Sequence, residues 1–173
     1  QQLARHRASS DARVLQLAWS PTSSMRLNKG LRQAVAVALQ GDRTSDSIVP
    51  TGVEGHSAAF PLGGRAKPKV TWKSRINLTL GYDTSMPNAQ DLAMQMRGRL
   101  ENTGGLSVQL RPGDLNADLN LVDRKAWTAT ALAWLQPYLD APLPASDSTL
   151  NAIETEFRAT TDSASANRLL ALL

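Results

Sequence analysis

The segment RINLTLGYDTSMPNAQDLAMQMRGRLENTGGLSVQLR, from Arg75 to Arg111, changes its hydrophobic period twice and constrains the fold more than any other part of the chain. Ile76, Leu78 and Leu80 alternate with Asn77 and Thr79, and Leu106, Val108 and Leu110 repeat the pattern, the period of two that a pleated strand requires. Between them Ala89, Leu92, Ala93, Met96 and Leu100 fall on one face at helical spacing. Asn88 stands as N-cap with Asp91 three residues on, and Gly104-Gly105 can supply a left-handed stop. The order predicts one βαβ unit with parallel strands. It places the loop from Gly81 to Pro87 at the carboxyl end of the first strand, against a helix N-terminus. Open α/β sheets bind ligands at that edge, so this loop is the first candidate site.

A chain of 173 residues is the size of one domain, and a domain of that size buries roughly 70% of its unfolded surface. With 42% hydrophobic and 20% charged residues the composition is that of an ordinary globular protein. No apolar run approaches the roughly 20 residues of a membrane span. Cysteine is absent, so the expected fold rests on neither disulfides nor thiolate chemistry. A net charge of +4 fits a solvated basic surface and demands neither nucleic acid nor anionic lipid. The chain opens QQLARHRASS, without a starting methionine or a signal pattern, and closes inside the amphipathic segment Asn167 to Leu173. We expect residues 1–173 to form one α/β unit excised from a longer precursor.

Before the central unit, VLQLAW at Val14 to Trp19 alternates like a strand and ends at Ser20-Pro21. A helix is expected over Gly30 to Leu39, capped by Asn28, with Leu31, Ala34, Val35, Ala38 and Leu39 on one face. Gln40-Gly41 stops it, Asp42 can cap a short helix through Ile48, and a Gly/Pro-rich connector follows from Pro50 to Pro68. After the central unit, Asp118 to Val122 reads as a third strand of the same sheet. The charged run Asp123-Arg124-Lys125-Ala126-Trp127 then forms a loop at its carboxyl end, one rim with the Gly81 loop if the strands are neighbours. Thr128 to Leu139 is expected to be helical in part. Leu150, Ile153 and Phe157 mark a further helix, and Asp162 caps another. The expected fold is α/β, a mixed, mainly parallel sheet with helices on both faces.

The search for reactive constellations is negative. His6 and His56 have no carboxylate or cysteine at ligand spacing, and no P-loop, GxSxG, HExxH or GxGxxG occurs, so no metal, cofactor or enzymatic chemistry is expected. Glu154 and Glu156 read as the solvated face of a helix. Lys67, Lys69, Lys73 and Arg75 surround Trp72 in a pattern that can clasp phosphates and stack a base, but the simpler reading is a connector with a buried tryptophan. Trp134 reads as core. Trp127 is the better binding candidate, because charged residues crowd it at a strand end.

In their order these segments resemble the C-terminal lobe of the family 5 extracellular solute-binding proteins, which serve oligopeptide, dipeptide and nickel ABC importers. VLQLAW and LRQAVAVALQGDR resemble that family's strand and its "vRqAlalAiDRd" helix, and Phe60-Pro61-Leu62 ends the connector as it does there. INLTLGYDTS, its helix and GGLSVQL resemble the "l.L.Y.ts" strand, crossover helix and "GinVel" strand. ADLNLVDRKAW stands where the family has "yDl...gW.aD", and NAIETEFRATTD resembles its late helix. In two places the chain departs from the pattern. The helix before the "yDl" strand is reduced to Arg111 to Ala117, and Trp127 stands where oligopeptide binders carry the aspartate that grips a peptide's α-amino group.

The resemblance implies one lobe of a two-lobed, periplasmic-binding-protein-like receptor, with Tyr82, Asp83, Asn88, Asp123, Arg124 and Trp127 at the cleft. The implied partners are a small solute or peptide, an ABC permease and the other lobe of the same polypeptide. It further implies an extracytoplasmic location, with a lipid anchor on the full-length protein as the link to a membrane. A solute-binding-like lipoprotein with a regulatory role in the cell envelope is the alternative, favoured by Trp127 and the shortened helix.

Overall fold

The computed structural model describes residues 13–40 and 72–125, together with positions 152, 155, 156 and 159, which are helical. Within residues 13–40 and 72–125, four strands and two helices follow one another as β1 (Arg13–Trp19), α1 (Lys29–Leu39), β2 (Ile76–Tyr82), α2 (Ala89–Glu101), β3 (Leu106–Pro112) and β4 (Leu119–Lys125), with a short 3-10 turn at Ser24–Leu27. The sheet order is β1-β4-β2-β3. β2 pairs in parallel with both β3 and β4, and β1 runs antiparallel on the outer side of β4. The sheet is thus mixed and mainly parallel, with β2 and β3 joined through a helix as the sequence requires.

The core lies on one face of this sheet. Leu78, Leu80 and Tyr82 of β2, Leu106 and Val108 of β3, and Leu119 and Leu121 of β4 are buried there, and Leu31 and Val35 of α1 and Ala89, Ala93 and Leu100 of α2 pack onto them. Burying each of these aliphatic side chains contributes about 1.5–3 kcal/mol, which makes this cluster the main driving force of the fold. Both described helices cover this face. The guanidinium of Arg99 in α2 donates to the Leu39 carbonyl at the end of α1 (3.3 Å), tying them together. Any helix on the opposite face lies outside the described residues, as do the helices expected near Asp42, over Thr128 to Leu139 and after Asp162. Around Phe157 the four described positions agree with the expected helix, and Glu156 is exposed.

The caps divide. Asn28 caps α1 as expected, its Oδ1 accepting from the Leu31 amide at 3.0 Å. Asn88 precedes α2 but does not cap it with its side chain: its backbone sits in the left-handed region (φ 60°), whereas a capping side chain needs an extended backbone to reach the first-turn amides. Gly104, at φ 82°, supplies the stop. Trp72 lies directly against Gly105, half-buried on the core, which makes it the packed tryptophan expected of the connector.

Candidate functional site at the carboxyl edge of the sheet

The rim is built from the ends of β2 and β4. These strands are neighbours, but only Leu80, Gly81 and Tyr82 pair with Leu119, Asn120 and Leu121. β4 therefore starts near the top of β2 and continues beyond it as a two-stranded ribbon with β1, in the register Leu15 to Asp123 and Val14 to Arg124. Asp123 and Arg124, expected in a loop, belong instead to β4, because β1 supplies an antiparallel partner as far as Lys125. Both are half-buried. By strand alternation Asp123 shares the face of Leu119 and Leu121, whereas Arg124 shares that of Asn120.

Tyr82 was expected at the rim, at least partly exposed. It is 4% exposed and belongs to the core, since it alternates with Gly81 onto the face of Leu78 and Leu80. Asp83, the next residue, is exposed and folds the chain back: its Oδ1 accepts from the Ser85 amide at 2.8 Å and the Ser85 hydroxyl at 2.7 Å, and its carbonyl accepts from the Met86 amide at 3.2 Å. The two Ser85 hydrogen bonds hold its carboxyl below the usual carboxylate range. Asn88 is exposed at the start of α2, and Asp91 lies in the first helical turn, where the helix dipole favours negative charge. Trp127 lies outside the described residues. The structure thus brings Asp83, Asn88, Asp123 and Arg124 to one edge, and withdraws Tyr82 beneath it. Among the described residues no group of three His, Cys, Asp or Glu is placed to hold a metal, and no helix is long and apolar enough to cross a membrane.

The assembly of the rim has little local signature in the sequence. Parallel strands of one sheet usually need a dozen or more residues between them, but β3 reaches β4, on the far side of β2, through Gly113 to Asp118 alone. The Gly113 amide bonds the Tyr82 carbonyl at 2.9 Å, and the chain then crosses β2 on the face opposite the core, directly over Gly81. A Cβ there would collide with the Asp114 carbonyl. Beyond the crossing, Asp118 binds two segments, the loop from Ser20 to Ser23 and β2. Its carboxylate accepts from the Ser23 hydroxyl (2.6 Å), the Thr79 amide (2.9 Å) and the Thr79 hydroxyl (2.9 Å), while its own amide donates to Thr79 Oγ1 and its carbonyl accepts from the Ser20 amide. Partial burial opposes the ionised form of Asp118, and the hydrogen bonds from Ser23 and Thr79 outweigh it, leaving its pKa below the ordinary value. Gly81 carried a signal, since a glycine inside an alternating strand marks a close approach. Asp118 carried none, because its role depends on the register between strands.

No family profile matches the chain, and no curated protein sequence matches it. Solved structures do. The Escherichia coli murein tripeptide binding protein MppA superposes with a TM-score of 0.68 at 13% identity, over 94% of this chain and 39% of that one. Haemophilus influenzae OppA, in complex with RPPGFSPFR, gives 0.65 at 13% identity, over 94% and 40%. The putative peptide binding protein AppA of Clostridium difficile gives 0.64 at 15% identity, over 92% and 40%. The chain therefore spans about 40% of the length of these proteins, the share of a single lobe. The parallel β2-α2-β3 unit, the mixed sheet and these superpositions together give the chain the fold of one lobe of the family 5 solute-binding proteins.

Proposed function

We propose that this chain is a non-enzymatic ligand-binding lobe of an extracytoplasmic solute receptor of family 5, which passes a peptide or other small solute to an ABC permease. The observation that carries the reading is the superposition of nearly the whole chain on several binding proteins whose ligands include peptides. Periplasmic proteins stand among these relatives, which supports the location. Asp83, Asn88, Asp123, Arg124 and Trp127 would face the ligand across a cleft closed by the other lobe, with a lipid anchor on the full-length protein holding it at the membrane. Tyr82 supports the rim from beneath.

The test is thermal unfolding of the full-length protein against a panel of di- to pentapeptides, since a ligand that binds only the folded state raises the transition in proportion to occupancy. A concentration-dependent rise, lost in Asp83→Ala or in Asp123→Ala, is expected. No rise with any peptide would overturn the peptide reading. That result would favour the second one, a regulatory lipoprotein of the cell envelope, to which Trp127 in place of the amine-binding aspartate already points.

A further inference from the structure

We propose that Asp118 is a positioning residue that sets the register of β4 against β2, and with it the spacing between the Asp83 turn and the overhanging Asp123 and Arg124. The functional weight of this inference rests on the rim being the ligand site; the register itself does not. β4 is held to β2 by three residue pairs and to β1 by seven. An outward slip of two residues would put Leu119 opposite Tyr82 and Ala117 opposite Leu80. Every side chain then keeps its face, because the pleat repeats every two residues, and every core position keeps an apolar residue. Hydrophobic burial favours the observed register through Leu119, whose place opposite Leu80 the slip gives to the smaller Ala117, and the Asp118 contacts act in the same direction.

The polar contacts discriminate strongly. In the observed register the Asp118 carboxylate stands opposite Thr79, takes both its amide and its hydroxyl, and reaches Ser23 before the 3-10 turn. The slip moves the carboxylate along β2 by about 7 Å, beyond reach of both Thr79 donors. A half-buried polar group that satisfies several donors in one register only is a known means of specifying register.

Because the chain contains no cysteine, spin labels can be placed uniquely at Leu15→Cys in β1, which moves with β4, and Gln90→Cys in α2. Interlabel distances would be measured without any ligand in this background and with Asp118→Asn, Thr79→Val or Thr79→Ser added. One distance is expected for the background and for Thr79→Ser, which keeps the hydroxyl. A second distance, displaced by up to about 7 Å, is expected for Asp118→Asn and Thr79→Val. The same single distance in both of these variants would overturn the inference, and either variant alone suffices if the other does not fold. That outcome would leave the binding proposal standing, and a rim that binds nothing would leave the register result intact.

Discussion

A methyl group at Gly81 has no space to occupy, because the Asp114 carbonyl crosses β2 at that residue and Asn120 Oδ1 lies beside it. Neither obstacle is the tip of a long flexible side chain. Gly81→Ala is therefore expected to destabilise the fold by about 3 kcal/mol or more, measured by denaturant unfolding, whereas Gly98→Ala, whose Cβ meets open space inside α2, is expected to stabilise it by about 0.5–1 kcal/mol. Asp118 gives a pH-dependent counterpart. Its folded pKa lies below the ordinary carboxylate value of about 3.9, so the unfolded chain binds more protons in that interval and stability rises with pH across it. The contribution is complete above the unfolded pKa and is lost as pH falls through the folded one. The stability difference between the parent chain and Asp118→Asn is thus expected to stay constant from pH 5 to 8 and to shrink below about pH 4. At this scale the sequence was only partly legible. The loop was expected to begin at Gly81, but β2 runs on through Tyr82, which continues the alternation of Leu78 and Leu80 onto the core face.

Secondary elements were far more legible, because each is specified by its own short pattern. α1 and α2 bury the residues their spacing selected, and β2 and β3 pair in register from Ile76 with Leu106. Two boundaries are misplaced: β2 includes Gly81 and Tyr82, where a loop was expected, and β4 runs on to Lys125, where the charged residues suggested a loop. A strand is prolonged by its partner, and no local pattern tells β4 that β1, far earlier in the chain, lies beside it. A related long-range device guards β3, an edge of the described sheet. The last turn of α2 turns Glu101 onto it, and Oε1 accepts from the outward Val108 amide at 3.0 Å while Oε2 lies 3.6 Å from Arg97 Nε. An unpaired amide on an edge strand invites pairing with another chain, so this contact blunts the edge as well as closing the unit. Glu101→Gln keeps an acceptor and is expected to cost little. Glu101→Ala leaves the amide to water, with an expected loss of about 1 kcal/mol and faster hydrogen exchange at Val108 than at the β2-paired amides.

At the scale of the molecule, the rim is an edge on which Asp83 and Asn88 are exposed and Asp123 and Arg124 half-buried, and the chain spans about 40% of the binding proteins it resembles. Small-molecule sites typically bury roughly 70–90% of the ligand surface, which an open edge does not achieve. In a two-lobed receptor the second lobe provides the missing polar partners and excludes water, and the ligand draws its affinity from favouring the closed arrangement. On the proposed reading residues 1–173 carry only one wall of the cleft and have no closed arrangement to favour. Residues 1–173 alone are therefore expected to bind any peptide at least about 100-fold more weakly than the full-length receptor, a difference of roughly 2.7 kcal/mol. Calorimetric titration of both proteins with the peptide that most raises the receptor's unfolding temperature measures this directly. Equal submicromolar affinity for the two would mean that this lobe encloses a complete site, and the proposed division of the cleft between two walls would be wrong.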